Sequence, residues 1–382
     1  MVSNALLSTG LDGARPPGIS GDRACRDHVL VSTGLDHPGL DHPGLDHPGL
    51  DHPRLDHPGR ARPLAELVCE TRAMVTAGSG DSRPPVVAVV GPTTAGKTEL
   101  SLDLAEALGG EIVNTDAMQV YRGMDIGTAK VPPAERRGIP HHLLDMLDVT
   151  EPATVAEFQR LARDVIDDCR ARGVTPVLVG GSALYTRAIL DRFEFPGTDP
   201  EIRARLDADL DQVGSVAMHR RLAAADPAAA GKIIPSNGRR VVRALEVIEL
   251  TGRPYTASLP EQTYFYADAV QVGVDIPRDV LDKRIEQRVT AMWEAGLLEE
   301  VRRLADRGLR KGRTANRALG YQQVLAFLDG ELTEGEAFER TVVGTRRFAR
   351  RQDAWFRKDT RIAWVDWDDP ERLAGALAAV RG

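Results

Sequence analysis

The residues with the clearest chemical content are Gly91, Pro92, Thr93, Thr94, Ala95, Gly96, Lys97 and Thr98. Two glycines separated by four residues and followed by Lys and Thr have the spacing of a loop that folds around phosphate. The glycines let backbone N–H groups turn inward toward an anion. Lys97 can neutralise bound phosphate, and the Thr98 hydroxyl can ligate Mg²⁺. The flanks provide the context such a loop needs. Val86-Val87-Ala88-Val89-Val90 reads as a buried parallel strand, and Leu100, Leu102, Leu104, Ala105 and Leu108 read as a helix ending at Gly109-Gly110. That helix places its positive N-terminus behind the loop. The motif defines a phosphate site, open to a nucleotide such as ATP or to a diphosphate.

Asp116 closes a second short apolar run, Glu111-Ile112-Val113-Asn114-Thr115. A carboxylate at a strand end beside phosphate can hold Mg²⁺ through water or take a proton from an acceptor. The plain structural alternative is an N-cap for a following helix. Gly180-Gly181-Ser182 closes a third run, Thr175-Pro176-Val177-Leu178-Val179. Its glycines permit close approach to a ligand and its hydroxyl can bond one, or Ser182 can simply cap the next helix. Arg240, Arg243, Arg284 and Arg288 are candidates to clamp phosphate oxygens, against the alternative of solvated helix faces. Near the C-terminus, Arg346-Arg347-Phe348-Ala349-Arg350-Arg351-Gln352-Asp353-Ala354-Trp355-Phe356-Arg357-Lys358 interleaves cations with aromatics. This pattern suits unpaired nucleic acid, and equally an amphipathic helix with a basic face. His141-His142 after Pro140 reads as loop or packing rather than as a metal site.

The elements that must position these residues alternate strand and helix, which implies a parallel sheet with right-handed crossovers. Ligands then bind beyond the carboxyl ends of the strands, so the phosphate loop, Asp116 and Gly180-Gly181-Ser182 are expected to share one cleft. A helix is expected around Val155–Arg172 and another over Leu184–Leu190. From Asp199 the chain turns to helices over Glu201–Leu210, Val216–Ala225 and Arg239–Ile248. A strand at Gln271–Val274 returns to the sheet, followed by one long helix from Arg278 to Arg307 striped by Leu281, Ile285, Val289, Trp293, Leu297, Val301 and Leu304. A last large helix spans Glu334–Lys358 and a small strand Ile362–Val365. The expected organisation is an extension over 1–84, a phosphate-loop core over 85–197, a mainly helical insertion over 198–268, and core completion with C-terminal helices over 269–382.

The extension carries a five-residue repeat: Leu35-Asp36-His37-Pro38 recurs at Leu40, Leu45, Leu50 and Leu55. A Pro every five residues blocks helix and ladder, and one Leu per repeat builds no core. Five of the nine histidines lie in the repeat, yet composition alone sets no ligand geometry, so a disordered tail is expected rather than a metal array. A short helix is expected from Leu64 to Met74, then a linker. The chain of 382 residues is 42% hydrophobic and 27% charged, which places it among soluble globular proteins. A net charge of −7 means that any nucleic-acid contact must come from a local basic surface. The three cysteines, Cys25, Cys69 and Cys169, lack metal-ligand spacing, and no run reaches the about 18 apolar residues of a membrane span. A cytoplasmic monomer is expected.

Taken together, the motifs resemble the tRNA dimethylallyltransferases, also called tRNA isopentenyltransferases, over roughly Val86 to Lys358. The resemblance rests on Gly91–Thr98, Asp116–Tyr121, Gly123-Met124-Asp125-Ile126-Gly127-Thr128-Ala129-Lys130, Pro140–His142, Val179–Tyr185, Arg243–Glu246, Gly320-Tyr321 and Arg351–Arg357. It implies transfer of a dimethylallyl group from dimethylallyl diphosphate to N6 of adenosine 37 in tRNAs reading codons that begin with U. The phosphate loop would hold the diphosphate with Mg²⁺, the base would be flipped into the cleft, and the insertion would reach across the anticodon stem-loop. By position, Asp116 matches the general base and Ser182 stands where the family usually has Thr. Thr94-Ala95 stands where the family often has Ala-Ser. Arg240 and Arg288 match substrate and diphosphate contacts. Asp116, Ala117, Met118, Gln119, Ser182, Arg203, Arg239, Arg243, Arg317, Gly320, Tyr321, Arg350, Arg351, Gln352, Trp355 and Arg357 match tRNA-contacting positions.

The chemistry is consistent with that implication. Adenine N6 is a poor nucleophile, so transfer needs charge stabilisation on the departing diphosphate and a base near N6. The alternative is a small-molecule kinase, which would need an arginine-bearing lid over ATP and no basic aromatic helix. The extension has no counterpart in the family pattern. Deleting residues 1–80 is expected to leave transfer activity intact, measured as label incorporation into tRNA; lost activity would overturn the reading of a dispensable tail.

Overall fold

Val86–Val90 (β1) is buried at every residue, as an unbroken β-branched run requires of a strand covered on both faces. The computed structural model describes residues 83–255 and 261–382. The Leu-Asp-His-Pro repeat, the helix expected at Leu64 to Met74, and Cys25 and Cys69 lie outside the described residues. After β1 come α1 (Lys97–Leu108), β2 (Gly110–Asn114), β3 (His141–His142), α2 (Val155–Ala171), β4 (Thr175–Val179) and α3 (Ala183–Leu190). Next are α4 (Pro200–Ala225), α5 (Pro227–Ala230), α6 (Gly238–Thr251), β5 (Ala269–Asp275), α7 (Arg278–Glu294) and α8 (Leu297–Asp306). The chain ends with α9 (Tyr321–Leu328), α10 (Glu334–Phe356), β6 (Ile362–Asp366) and α11 (Arg372–Arg381).

The described strands form one parallel sheet in the order β3-β2-β4-β1-β5-β6. Alternation along β1 sends Val86, Ala88 and Val90 to one face and Val87 and Val89 to the other, each into its own core. The first core is closed by α2, α3, α8 and α9 through residues such as Phe158, Ile166, Ile189, Val301 and Tyr321. The second is closed by α1, α7, α10 and α11 through Leu100, Leu104, Ile285, Val342 and Leu377. Register fixes where the loops emerge. Val179 pairs with Val89 on one side and Asn114 on the other, so Gly91, Gly180 and Asp116 leave the sheet side by side.

Helices α4 to α6 have a third core of their own, with Leu206, Met218, Leu222, Val241, Val242 and Leu245 inside. The two helices expected before Ala225 are both present within α4, which breaks between them at Gly214, where the backbone is non-helical with φ 79° and ψ 163°. Asp226 caps α5 by accepting from the Ala229 N–H at 3.0 Å, and its other oxygen accepts from the Tyr255 N–H at 2.8 Å.

The single helix expected over 278–307 is instead two, separated at Ala295-Gly296. The apolar stripe explains the break. Leu281, Ile285 and Val289 pack in the core on one side of the sheet, and Leu297, Val301 and Leu304 in the core on the other. A straight helix cannot face both, and Gly296 at φ 94° makes the turn. Four further elements were not expected. β3 is only two residues long, too short to show alternation, and α5 is a four-residue turn after Asp226. α9 and α11 are short helices of eight and ten residues, for which no periodic stripe was read.

No atom lies within 4 Å of where a Gly296 Cβ would stand, so substitution there meets only backbone strain. Gly296→Ala is expected to cost about 1–2 kcal/mol, read as a lower urea midpoint at unchanged slope.

Candidate active site

The loop from Gly91 to Thr98 bends around the end of β1. Gly91 adopts φ 134°, and a Cβ there would sit 3.2 Å from the Val274 carbonyl oxygen of the neighbouring strand. Gly96 adopts φ 101° and, as the N-cap of α1, offers no side chain to the first helical N–H groups. Those donors are therefore left for an anion. Lys97 Nζ donates to the Pro92 carbonyl at 2.7 Å, across the mouth of its own loop. The Lys97 ammonium is pushed down to about 7, first by desolvation and then by the charge of Arg288, against the opposing pull of Asp116. Burial likewise holds Arg288 below its usual range, again against Asp116. Two cations crowded together and partly desolvated are a site short of negative charge.

Asp116 stands across from them. Buried Asn114 shapes its backbone, accepting from the Asp116 N–H at 2.8 Å and donating to the Asp116 carbonyl at 3.2 Å. Asp116 Oδ1 accepts from the Met118 N–H at 2.8 Å. The chain runs on in turns, not a helix, so the N-cap alternative for Asp116 is set aside. Ser182 does not cap α3 either. Its Oγ accepts from the Ala117 N–H at 3.2 Å and so ties the Asp116 segment to the end of β4. Between them Gly180 must lack a side chain, since a Cβ there would lie 2.8 Å from the Asp116 nitrogen.

The opposite wall is the segment Gly123–Lys130. Glu300, from α8, accepts from the N–H groups of Asp125 (3.2 Å), Ile126 (2.8 Å) and Gly127 (3.3 Å). The buried Tyr321 hydroxyl donates to the same carboxylate at 2.6 Å, and its ring lies where any Gly127 side chain would. Lys130, also buried, bridges Asp125 and Asp145 at 2.6 Å each. This bracing sets Thr128 and Ala129 into the cavity wall. His141 lines it too. Its Nδ1 is 2.8 Å from the Ile139 carbonyl and so carries the proton, while burial lowers its pKa and keeps the ring neutral. Sequence reasoning read His141 only as a loop or packing residue and passed over Glu300, whose backbone partners lie 173–175 residues away in the chain.

The cavity measures about 320 Å³ and is lined by Lys97, Thr98, Asp116, Arg284, Arg288 and Gln352 among others. It brings together the phosphate loop, Asp116, Gln119 and Arg288 as expected from sequence. Arg240 stands on the exposed first turn of α6 and is not among the lining residues. The other candidate RNA-contacting residues divide by position. Arg239, Arg350 and Arg351 are exposed. Desolvation and then the charge of Arg317 lower the Arg239 pKa against the pull of Asp207, with Arg203 and Arg313 also near, so four arginines around one aspartate make a basic patch across α4, α6 and the segment before α9. Arg203 pairs with buried Glu246 at 2.7 Å. Arg243 pairs with the same residue at 2.9 Å and braces the carbonyls of Pro196 and Gly197. Arg357 pairs with Asp275 and Asp353 and lies over the Trp364 ring, Trp355 is half-buried, and Gly320 turns the chain into α9. Tyr321 and Gln352 are buried.

A second polar cluster, Glu111, His142 and Cys169, has ligand atoms within 4.8 Å of one another. Arg172 already grips Glu111 through two bonds of 2.8 Å and holds its carboxyl at about 2, while burial raises the Cys169 thiol to about 11. The guanidinium takes the cation's place there.

A phosphate loop, a facing carboxylate and crowded cations at the carboxyl edge of a parallel sheet define a phosphate-handling α/β protein. The chain belongs to the IPP transferase family, which matches residues 119–359. It is 66% identical over 299 residues to a tRNA dimethylallyltransferase of Nocardioides sp. (strain ATCC BAA-499 / JS614), covering 78% of this chain and 96% of that one. The structure is similar to that of a tRNA isopentenylpyrophosphate transferase from Bacillus halodurans, with a TM-score of 0.57, 40% identity, and 78% and 98% of the two chains covered. It also resembles a eukaryotic dimethylallyltransferase acting on tRNA, with a TM-score of 0.64 at 27% identity, covering 75% of this chain and 74% of that one. Among the described residues no helix is long and apolar enough to cross a membrane.

The lowered Lys97 pKa gives anion binding in this cavity, tested with inorganic diphosphate, a pH dependence. Below about 7 the ammonium is already charged in the empty site, and affinity is flat on its account. Above that, binding must take up a proton, and affinity is expected to fall by up to about tenfold per pH unit until the pKa of the complex is reached. Calorimetry at pH 8 in buffers of different ionisation enthalpy should show this proton uptake. Equal uptake by Lys97→Met would place the proton elsewhere.

Proposed function

We propose that this protein transfers a dimethylallyl group from dimethylallyl diphosphate to N6 of adenosine 37 in tRNAs reading codons that begin with U, releasing diphosphate. The carrying observation is that Lys97, Arg288 and Asp116 line one cavity with their charges mutually in range. The names borne by the relatives support the transferase over a small-molecule kinase. The reading is of a cytoplasmic monomer acting on the anticodon stem-loop.

As the allylic carbon–oxygen bond breaks, negative charge grows on the diphosphate. Lys97, Arg288 and the uncapped start of α1 stabilise that charge where it develops. The Thr98 hydroxyl, exposed at the first turn of α1, is a hard oxygen donor opening on the same cavity. It fits Mg²⁺, an ion that takes few protein ligands beside phosphate oxygens and water and would supply further charge neutralisation. Asp116 accepts the proton that N6 sheds as the new carbon–nitrogen bond forms. One Asp116 oxygen is held by the Met118 N–H, which fixes the carboxylate's direction. Holding both reactants in line supplies the rest of the barrier reduction. Arg350 and Arg351, exposed on α10, and the patch around Arg239 meet the RNA backbone, whose base leaves its stack to reach the cavity.

The test uses protein, Mg²⁺, labelled dimethylallyl diphosphate and an unmodified tRNA carrying A36-A37-A38, beside ATP with a small-molecule pool. Label in the tRNA supports transfer; phosphate moved from ATP to a small acceptor, with unlabelled tRNA, overturns it. Asp116→Asn keeps an acceptor for the Met118 N–H and removes the base. Turnover is expected to fall about 10²–10⁴-fold with donor affinity little changed. Full turnover in that variant would dismiss Asp116 as the base.

A further inference from the structure

Gln352 was grouped by motif with RNA-contacting residues, yet its side chain faces inward from α10 and is 5% exposed. Its Nε2 donates to the Gly181 carbonyl at 2.7 Å, and its Oε1 accepts from the Thr93 N–H at 2.9 Å. One side chain thus joins the end of β4 to the phosphate loop. A primary amide both donates and accepts at its tip, so it can satisfy this mixed pair, which neither a carboxylate nor an ammonium can. Gly181 is shaped to match, because any Cβ there would collide with the Gln352 amide nitrogen.

The bond to Thr93 governs more than one donor. The Thr93 N–H and the Pro92 carbonyl belong to the same peptide unit, and a planar trans peptide aims the two in opposite directions. With the N–H held by Gln352, the carbonyl is turned toward Lys97, whose Nζ it accepts at 2.7 Å. A peptide free to flip would remove that seat and aim a carbonyl oxygen differently in an anion site. Gln352 also sits beside exposed Arg351, four residues after cavity-lining Phe348.

We propose that Gln352 is a positioning residue of the diphosphate site. It orients the Pro92–Thr93 peptide and through it the Lys97 ammonium, and makes no contact with RNA. This deepens the transferase reading and rests on it for the turnover measurement alone.

Gln352→Met keeps the length of the side chain and removes both bonds. Three quantities are compared with wild type: the Kd of inorganic diphosphate with Mg²⁺, the Kd of an anticodon stem-loop RNA, and kcat. The expected result is diphosphate binding weakened at least tenfold and kcat lowered, with RNA affinity within twofold. RNA affinity lost with diphosphate binding intact would overturn the proposal in favour of an RNA contact. Parallel losses of both, tracking a fall in melting temperature, would overturn it in favour of general scaffolding. A measurement on wild type guards against a variant that does not fold. The Thr93 amide should be strongly protected from hydrogen exchange and stay so when inorganic diphosphate is added; free exchange at Thr93 would also defeat the proposal. If wild type fails to label tRNA, the transferase reading falls, while the diphosphate and exchange results still decide the role of Gln352.

Discussion

The structure depends on the parallel pairing of β1, β4 and β2. Val179 stands opposite Val89 and Asn114 at once, so three strand ends finish on one line. A slip of one residue in either pairing would reverse which face each side chain meets. It would also carry the phosphate loop away from Asp116. The hydrophobic demand for register therefore sets the distance between the phosphate loop and Asp116. Chemistry at the rim follows from packing in the middle.

Around that line, polar groups far apart in sequence do the aligning. Glu300 gathers three backbone N–H groups of the Gly123–Lys130 segment, Ser182 secures Ala117, and Gln352 secures Thr93. Each satisfies a group that would be costly to bury alone. Each also removes a degree of freedom from a loop that must hold its shape before substrate arrives. The cations, by contrast, are left under-compensated. Desolvation of Lys97 and Arg288 is a standing cost that an anion bound between them would relieve.

Much of this was legible in the sequence where the chemistry is local. Gly91–Thr98 announced itself because strand, loop and helix lie within a few residues. The buried strands declared themselves by β-branched runs, and Asp116 by its place at a strand end. What escaped was non-local. Glu300 drew no reading at all, and Gln352 was read as a member of a basic aromatic stripe, because the backbone groups they bond lie 171–259 residues away. Capping stood as the alternative for Asp116 and Ser182; no helix follows the first, and the second stands at the start of α3 yet accepts from the distant Ala117 N–H instead. The α7–α8 break had a signal in Gly296, yet a continuous apolar stripe outweighed it. Periodicity reports that a face is buried, not against which side of a sheet.

That break has a mechanical meaning. Trp293, just before it, packs against the apolar layers on both sides of the sheet. The pair α7–α8 therefore acts as a staple folded over the sheet, with Gly296 as its bend. Neither layer can peel away without pulling on the other, so the layer carrying the phosphate loop and the layer carrying the opposite cavity wall open as one cooperative unit. The two layers that flank the cleft are thus tied by one continuous stretch of chain bent at Gly296.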